Sequence, residues 1–238
     1  MAANATTPVA IHAANNCTLL SGTFETLVQI GLGIVALSVL FVKRTLEKPQ
    51  RPFQVWAYDA SKQAIGAGVA HAANLFIAIM LVKMAKSENA TDECAFYFIN
   101  FTLDTSLGVV VNWLLLRLSM AAAIHFNWTW LQVPGYYGNP IRASVWLAQL
   151  AMWIVIVLTA KMIIARFIYA LETPLNNFGN WLFDPLSDYP KVELLFVMVA
   201  CPCLMNMLQF WITDNFLKKP AAKSDDDKSV VNEKTPLV

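Results

Sequence analysis

Long apolar runs, punctuated by short clusters of ionisable residues, dominate the chain. The punctuation falls at Glu25 and Lys43, Lys62 and Lys83, Glu93 and Arg117, Arg142 and Lys161 with a continuation to about Glu172, and Glu193 and Asp214. A hydrocarbon core ~30 Å thick takes ~20 helical residues to cross, and each of the five intervening runs meets or approaches that length. Only helices and closed barrels satisfy every backbone N–H and C=O inside lipid, and none of these runs alternates polar with apolar as a barrel strand must. The pattern therefore predicts an all-α polytopic membrane protein with a five-transmembrane-helix bundle. Short connections favour antiparallel, up-and-down neighbours, and no internal repeat is visible. Residues 1–22 form a polar N-terminal segment, 23–217 the transmembrane domain and 218–238 a disordered tail that includes the acidic run Asp225-Asp226-Asp227.

Composition sharpens this picture. Of 238 residues 57% are hydrophobic and only 14% charged, which excludes a water-soluble domain. The net charge of +1 carries little information in such a chain, and its sign gives no reason to expect a nucleic-acid partner. The positions of the charges carry more. No Lys or Arg occurs before Lys43, whereas Lys43, Arg44, Lys48 and Arg51 crowd the next nine residues. With the N-terminus lumenal and the C-terminus cytosolic, these cations, together with Lys62, Arg117, Arg142, Lys218, Lys219 and Lys223, all fall in the cytosol, and the opposite side is acidic. The sequons at Asn4, Asn16 and Asn89 then lie on the lumenal side as candidate glycosylation sites, while Asn127 lies on the cytosolic side and is expected to stay unmodified. Residues 1–22 lack a basic n-region and a contiguous apolar core, so the first helix is expected to serve as an uncleaved targeting signal.

Inside the apolar runs a few polar residues stand out. Asp104 lies about eleven residues from Glu93 and Lys161 about eleven from Glu172, so at ~1.5 Å per residue both reach the same depth and can pair. An unpaired charge at mid-bilayer costs roughly 2.5 to 3.5 kcal/mol on insertion scales, which makes pairing the expected solution. Such a pair is either a buried salt bridge that fixes helix contacts or part of an ion or proton site. His71 and Asn74 share one helix face, as do Asn206 and Gln209, and either set can serve interhelical hydrogen bonding or a polar path. Gly66, Gly68, Ala70 and Ala72 give the second run a small-residue face for close packing. Cys201-Pro202-Cys203 resembles an intramembrane soft-metal motif, but a Pro-kinked helix accounts for it and no metal is expected. Cys17 and Cys94 are both lumenal and able to pair in an oxidising compartment. The uncharged aromatic stretch from Trp128 to Tyr137 reads as an interfacial belt. No phosphate loop, dinucleotide fingerprint, zincin helix or nucleophile elbow occurs, so neither an enzyme nor a cofactor is expected.

One stretch has a known look. Arg51 to Gly66, which includes Trp56, Asp59, Ser61, Lys62, Gln63 and Gly66, resembles the most recognisable segment of the STIMATE family, regulators of store-operated calcium entry. His71 with Asn74, Cys94, Phe98 to Phe101, Leu103-Asp104, Tyr137-Gly138-Asn139-Pro140, Phe210-Trp211 and Asp214 to Leu217 continue the likeness in the same order, over roughly residues 30 to 217. The resemblance implies a multi-pass, non-enzymatic regulator or adaptor of the endoplasmic reticulum membrane. It would act at junctions with the plasma membrane, with the stromal interaction molecule calcium sensors as partners. Fungal relatives imply a vacuolar membrane as the alternative location. The basic residues Lys43, Arg44, Lys48, Arg51, Lys218, Lys219 and Lys223 are then candidates for contact with anionic lipid or a protein partner. The competing expectation is a small transporter, channel or lipid-handling protein that uses the polar intramembrane residues.

Overall fold

A computed structural model describes residues 23–84, 93–186 and 189–219 of the chain. The sequons at Asn4, Asn16 and Asn89, Cys17, Lys223 and the acidic run of the tail lie outside the described residues. The elements are α1 (Thr23–Leu46), α2 (Phe53–Met84), α3 (Glu93–His125), α4 (Ala143–Ala170), α5 (Glu172–Phe183), α6 (Pro190–Leu195) and α7 (Cys201–Leu217), with a π-helical turn at Phe196–Ala200 joining the last two. No strand occurs among the described residues. Four helical stretches are long and apolar enough to cross a membrane: Thr26–Leu46, Cys94–His125, Ala143–Ala170 and Lys191–Leu217. α2 is as long as these but carries Asp59, Lys62 and Gln63 in its first three turns.

The helices pack as a ring. α1 lies on α7, α7 on α3, α3 on α4 and α4 on α2, and α2 returns to α7. Leu27, Ile34, Leu118, Leu147, Met162 and Leu204 all face outward, as lipid-facing side chains do in a bundle whose solvent is hydrocarbon. Inside, Leu116, Trp153, Ile156, Val157 and Leu217 form a core between α3, α4 and α7, and Cys94, Ala95, Phe183 and Val197 form another near the start of α3. Gly66 has a specific reason to be glycine. A Cβ there would lie 2.4 Å from the Trp153 indole nitrogen, so α2 and α4 touch only because that side chain is missing.

Two features depart from the sequence reading. The stretch from Phe53 to Lys62, read as part of a cytosolic turn, is the beginning of α2, because its ionisable residues point into the protein and do not mark a loop. The segment after Glu172, where the sequence predicts no helix before the run that starts at Glu193, contains α5, an amphipathic helix that lies on α3. Its buried positions Gly179 and Phe183 are four apart, whereas Phe178 and Trp181 face outward. The π turn precedes Pro202, whose ring would otherwise crowd the carbonyl four residues earlier, at Met198.

Candidate functional site: a buried ionic network at one end of the bundle

The end of α1, the start of α2, the α3–α4 loop, the start of α4 and the end of α7 meet at one end of the bundle, and charged side chains fill the space between them. Asp59 is wholly buried, Lys62 and Asp214 are 1% exposed, and Lys43 is 7% exposed. Burying a charge is costly unless it is paired, so the local sequence has to supply partners from separate elements. Arg51 does most of this. It sits in the short link between α1 and α2, where its guanidinium reaches three carboxylates: Nε to Glu47 at 2.7 Å, Nη1 to Asp59 at 3.0 Å and Nη2 to Asp214 at 3.0 Å. Only the planar, multidentate guanidinium has the geometry for this role.

Each carboxylate then has further donors. Asp214 accepts from Lys43 at 3.0 Å and from the Gln63 amide at 3.3 Å. Lys43 also donates to the Trp211 carbonyl and to Asn215 Oδ1, both at 2.6 Å, which fixes α1 against the last turns of α7. Asp59 accepts from the Tyr137 hydroxyl at 2.5 Å and lies 3.4 Å from Lys62. Glu47 accepts from Lys218 at 2.8 Å. Burial, joined by the Asp59 carboxylate, pushes the Tyr137 phenol far above its ordinary value, so it remains a donor. Burial also works against ionised Glu47, but hydrogen bonds from Lys218 and Arg51 outweigh it and hold the carboxyl below its usual range.

Lys62 carries the network to the α3–α4 loop. Its ammonium donates to Gln149 Oε1 at 3.1 Å and lies 5.0 Å from the centre of the Tyr137 ring. Gln149 accepts a second bond from the Gly135 amide at 3.1 Å, and its own amide reaches the carbonyls of Trp130, Val133 and Tyr136. Gly135 has φ +70, and a Cβ there would lie 2.4 Å from the backbone nitrogen of Lys219, so the loop and the chain beyond α7 lie in direct contact. Four cations, Lys43, Arg51, Lys62 and Lys218, face three carboxylates in this network. What it does physically is staple five chain segments in one register.

The remaining candidates fall into three groups. Trp56 donates to the Leu40 carbonyl at 3.2 Å, and Ser61 bonds the Tyr58 carbonyl and accepts from Trp146, so both join α2 to its neighbours beside the network. Arg44 lies over the rings of Phe53 and Trp56, Lys219 lies 4.8 Å from the Tyr136 ring centre, and Lys48 is exposed. Deep in the bundle Lys161 forms an ion pair with Asp104, and Asn74 donates to the same Asp104 oxygen at 3.5 Å. His71, Asn206 and Gln209 do not join this cluster through side-chain hydrogen bonds among the described residues. Cys94 is disulfide-bonded, and Cys201 and Cys203 are free thiols, with Cys203 3.8 Å from the Met207 sulfur. Sequence reading missed the roles of Glu47, Tyr137, Gln149 and Asp214, although Tyr137 and Asp214 stand among the landmark residues of the resemblance.

Six of the landmarks, Arg51, Asp59, Lys62, Gln63, Tyr137 and Asp214, meet in the network. The sequence pattern of the STIMATE family matches residues 94–219. The chain belongs to the STIMATE family. It is also 30% identical to a vacuolar membrane protein of Saccharomyces cerevisiae over 219 residues, covering 86% of this chain and 80% of that relative. No solved structure matches it. Within this STIMATE-family chain, the matched region takes in α3, α4, the loop with Tyr137 and the whole of α7, and Arg51, from outside it, bridges Asp214 to Asp59.

Proposed function

We propose that the chain is a non-enzymatic, five-span regulator or adaptor of store-operated calcium entry, with a lumenal N-terminus and a cytosolic C-terminus. The observation that carries this reading is that Arg51, Asp59, Lys62, Gln63, Tyr137 and Asp214, six of the residues that carry the family resemblance, meet in one structural staple. A protein that works through partners needs a rigid platform, and the network supplies one at the end from which the tail leaves. Support for the orientation comes from the charges. At the ionic end Glu47, Asp59 and Asp214 are all internally paired and the unpaired groups are cations, whereas Glu172 and Asp184 are exposed at the other. α2 serves as the fifth span, entering the bilayer after Gln63. The reticulum membrane, at junctions where stromal interaction molecule sensors operate, is the location that fits this role; the yeast relative favours a vacuolar membrane instead.

A second reading has its own observation. Asp104 and Lys161 keep side-chain exposures of 21% and 14% inside apolar spans, as a transport path would require. One experiment separates the two. Calcium entry after store depletion would be recorded in cells lacking the protein, then after return of the intact chain and of an Asp104→Leu/Lys161→Leu chain. The adaptor reading expects a deficit that both chains restore. Restoration by the intact chain alone would favour transport, and the absence of any deficit would remove the calcium-entry role.

A further inference from the structure

Two sets of basic residues at the ionic end differ in a way that the sequence does not show. Lys43, Arg51 and Lys218 are consumed by Glu47, Asp59 and Asp214, which are all the acids in the segments that form this end of the bundle, residues 40–62, 113–149 and 211–219. With the acids of these segments paired inside, the outer surface formed by the described residues at this end carries only cations. Lys48, Arg142 and Lys219 are exposed there and form no ion pair among the described residues. Trp128, Trp130 and Tyr136 are exposed beside them, at 42%, 53% and 45%.

These six side chains lie at the same end of the bundle. Lys219 lies over the Tyr136 ring, Arg142 follows the loop that holds Tyr136, and Lys48 is adjacent to Glu47, the partner of Lys218. Aromatic rings with an apolar body and a polar edge settle at the headgroup level, where the long helices of this bundle end. Cations at that level attract anionic headgroups, and no exposed carboxylate among the described residues opposes them here.

We infer that this face is a binding surface for anionic phospholipid headgroups, with Lys48, Arg142 and Lys219 as its charges and Trp128, Trp130 and Tyr136 as its anchors in the leaflet. The inference rests on the chain being a membrane protein and not on the calcium-entry reading. It also moves the lipid contact away from Lys43, Arg51 and Lys218, whose charges are already paired with carboxylates. Arg142 enters the site although it lies in neither basic cluster of the sequence.

The test uses the full chain, purified and exposed to mixed vesicles of phosphatidylcholine with a minority of phosphatidylserine, with retained lipids counted by native mass spectrometry. The intact chain is expected to retain phosphatidylserine at least about threefold above its share of the mixture. Raising the salt should release that excess without changing bound phosphatidylcholine, a readout that needs no variant. Lys48→Gln/Arg142→Gln/Lys219→Gln, checked for an unchanged melting temperature, should return the ratio to that of the mixture. Arg166→Gln/Lys191→Gln, which removes two exposed cations outside this face, should leave it unaltered. Retention at the mixture's ratio by the intact chain would overturn the inference. So would an enrichment that salt does not release, or equal losses in both variants.

Discussion

At the scale of the residue, Arg51 is the side chain on which the ionic end depends most. It is the one group that touches Glu47, Asp59 and Asp214 together. Removing one partner of a buried ion pair costs ~3 to 5 kcal/mol, because the charges left behind stay desolvated and uncompensated. Arg51→Met should lower the melting temperature in detergent by an amount in keeping with that loss. Arg51→Lys should recover little of it, since an ammonium cannot reach three carboxylates at once; a Lys variant as stable as the parent would argue that the guanidinium fork is not needed. The Asp104 and Lys161 pair makes a parallel case in the spans. Asp104→Leu and Lys161→Leu should each destabilise more than the double variant, and simple additivity of the two losses in the same assay would mean that the charges are not coupled. This pair was legible from sequence because depth along antiparallel helices follows from counting residues. The role of Arg51 was not, because its contact with Asp214 spans 163 positions and depends on how five segments converge.

Among the elements, α2 and α5 show where hydropathy and polarity mislead. The first three turns of α2 look like a loop because they hold Asp59, Lys62 and Gln63, yet a helix whose charges are answered by neighbouring helices needs no solvent. α5 escapes notice because Pro174, Asn176, Asn177 and Gly179 all read as turn residues. Gly179 is there for packing: its missing Cβ would lie 3.3 Å from Ile99 on α3. The long apolar spans are legible by contrast, since length and uniform hydropathy decide them alone. Close packing between α2 and α4 yields a prediction at this scale. Gly66→Ala should destabilise the bundle by about 1 to 3 kcal/mol through overpacking against Trp153, and adding Trp153→Phe, which removes the atom in the way, should restore part of the loss in a thermal melt. Equal stability of Gly66→Ala and the parent would show that α4 shifts freely, and that this contact does not set the spacing.

For the whole molecule, the two ends differ in kind. The ionic end is cross-linked by charges and by a loop that Gln149 holds through four of its backbone groups, whereas the end near Cys94 combines apolar contacts among Phe98, Phe183 and Val197 with the disulfide of Cys94. Topology is the prediction at this scale. In the native protein a glycan is expected at Asn4 or Asn16 and none at Asn127; modification of Asn127, detected by glycosidase digestion and mass spectrometry, would overturn the five-span orientation.

The account stands most heavily on the claim that α1, α2 and α7 are held in register by shared charges. A double-mutant cycle between Arg51 and Asp214 measures this directly, using Arg51→Met, Asp214→Leu and the pair, each melted reversibly in the same detergent. Contacting charges in one network are expected to show a coupling of roughly 1.5 kcal/mol or more, with the double variant distinctly more stable than the summed single losses allow. Losses that add to within about 0.5 kcal/mol would mean that Arg51 and Asp214 act independently, and the staple would not exist.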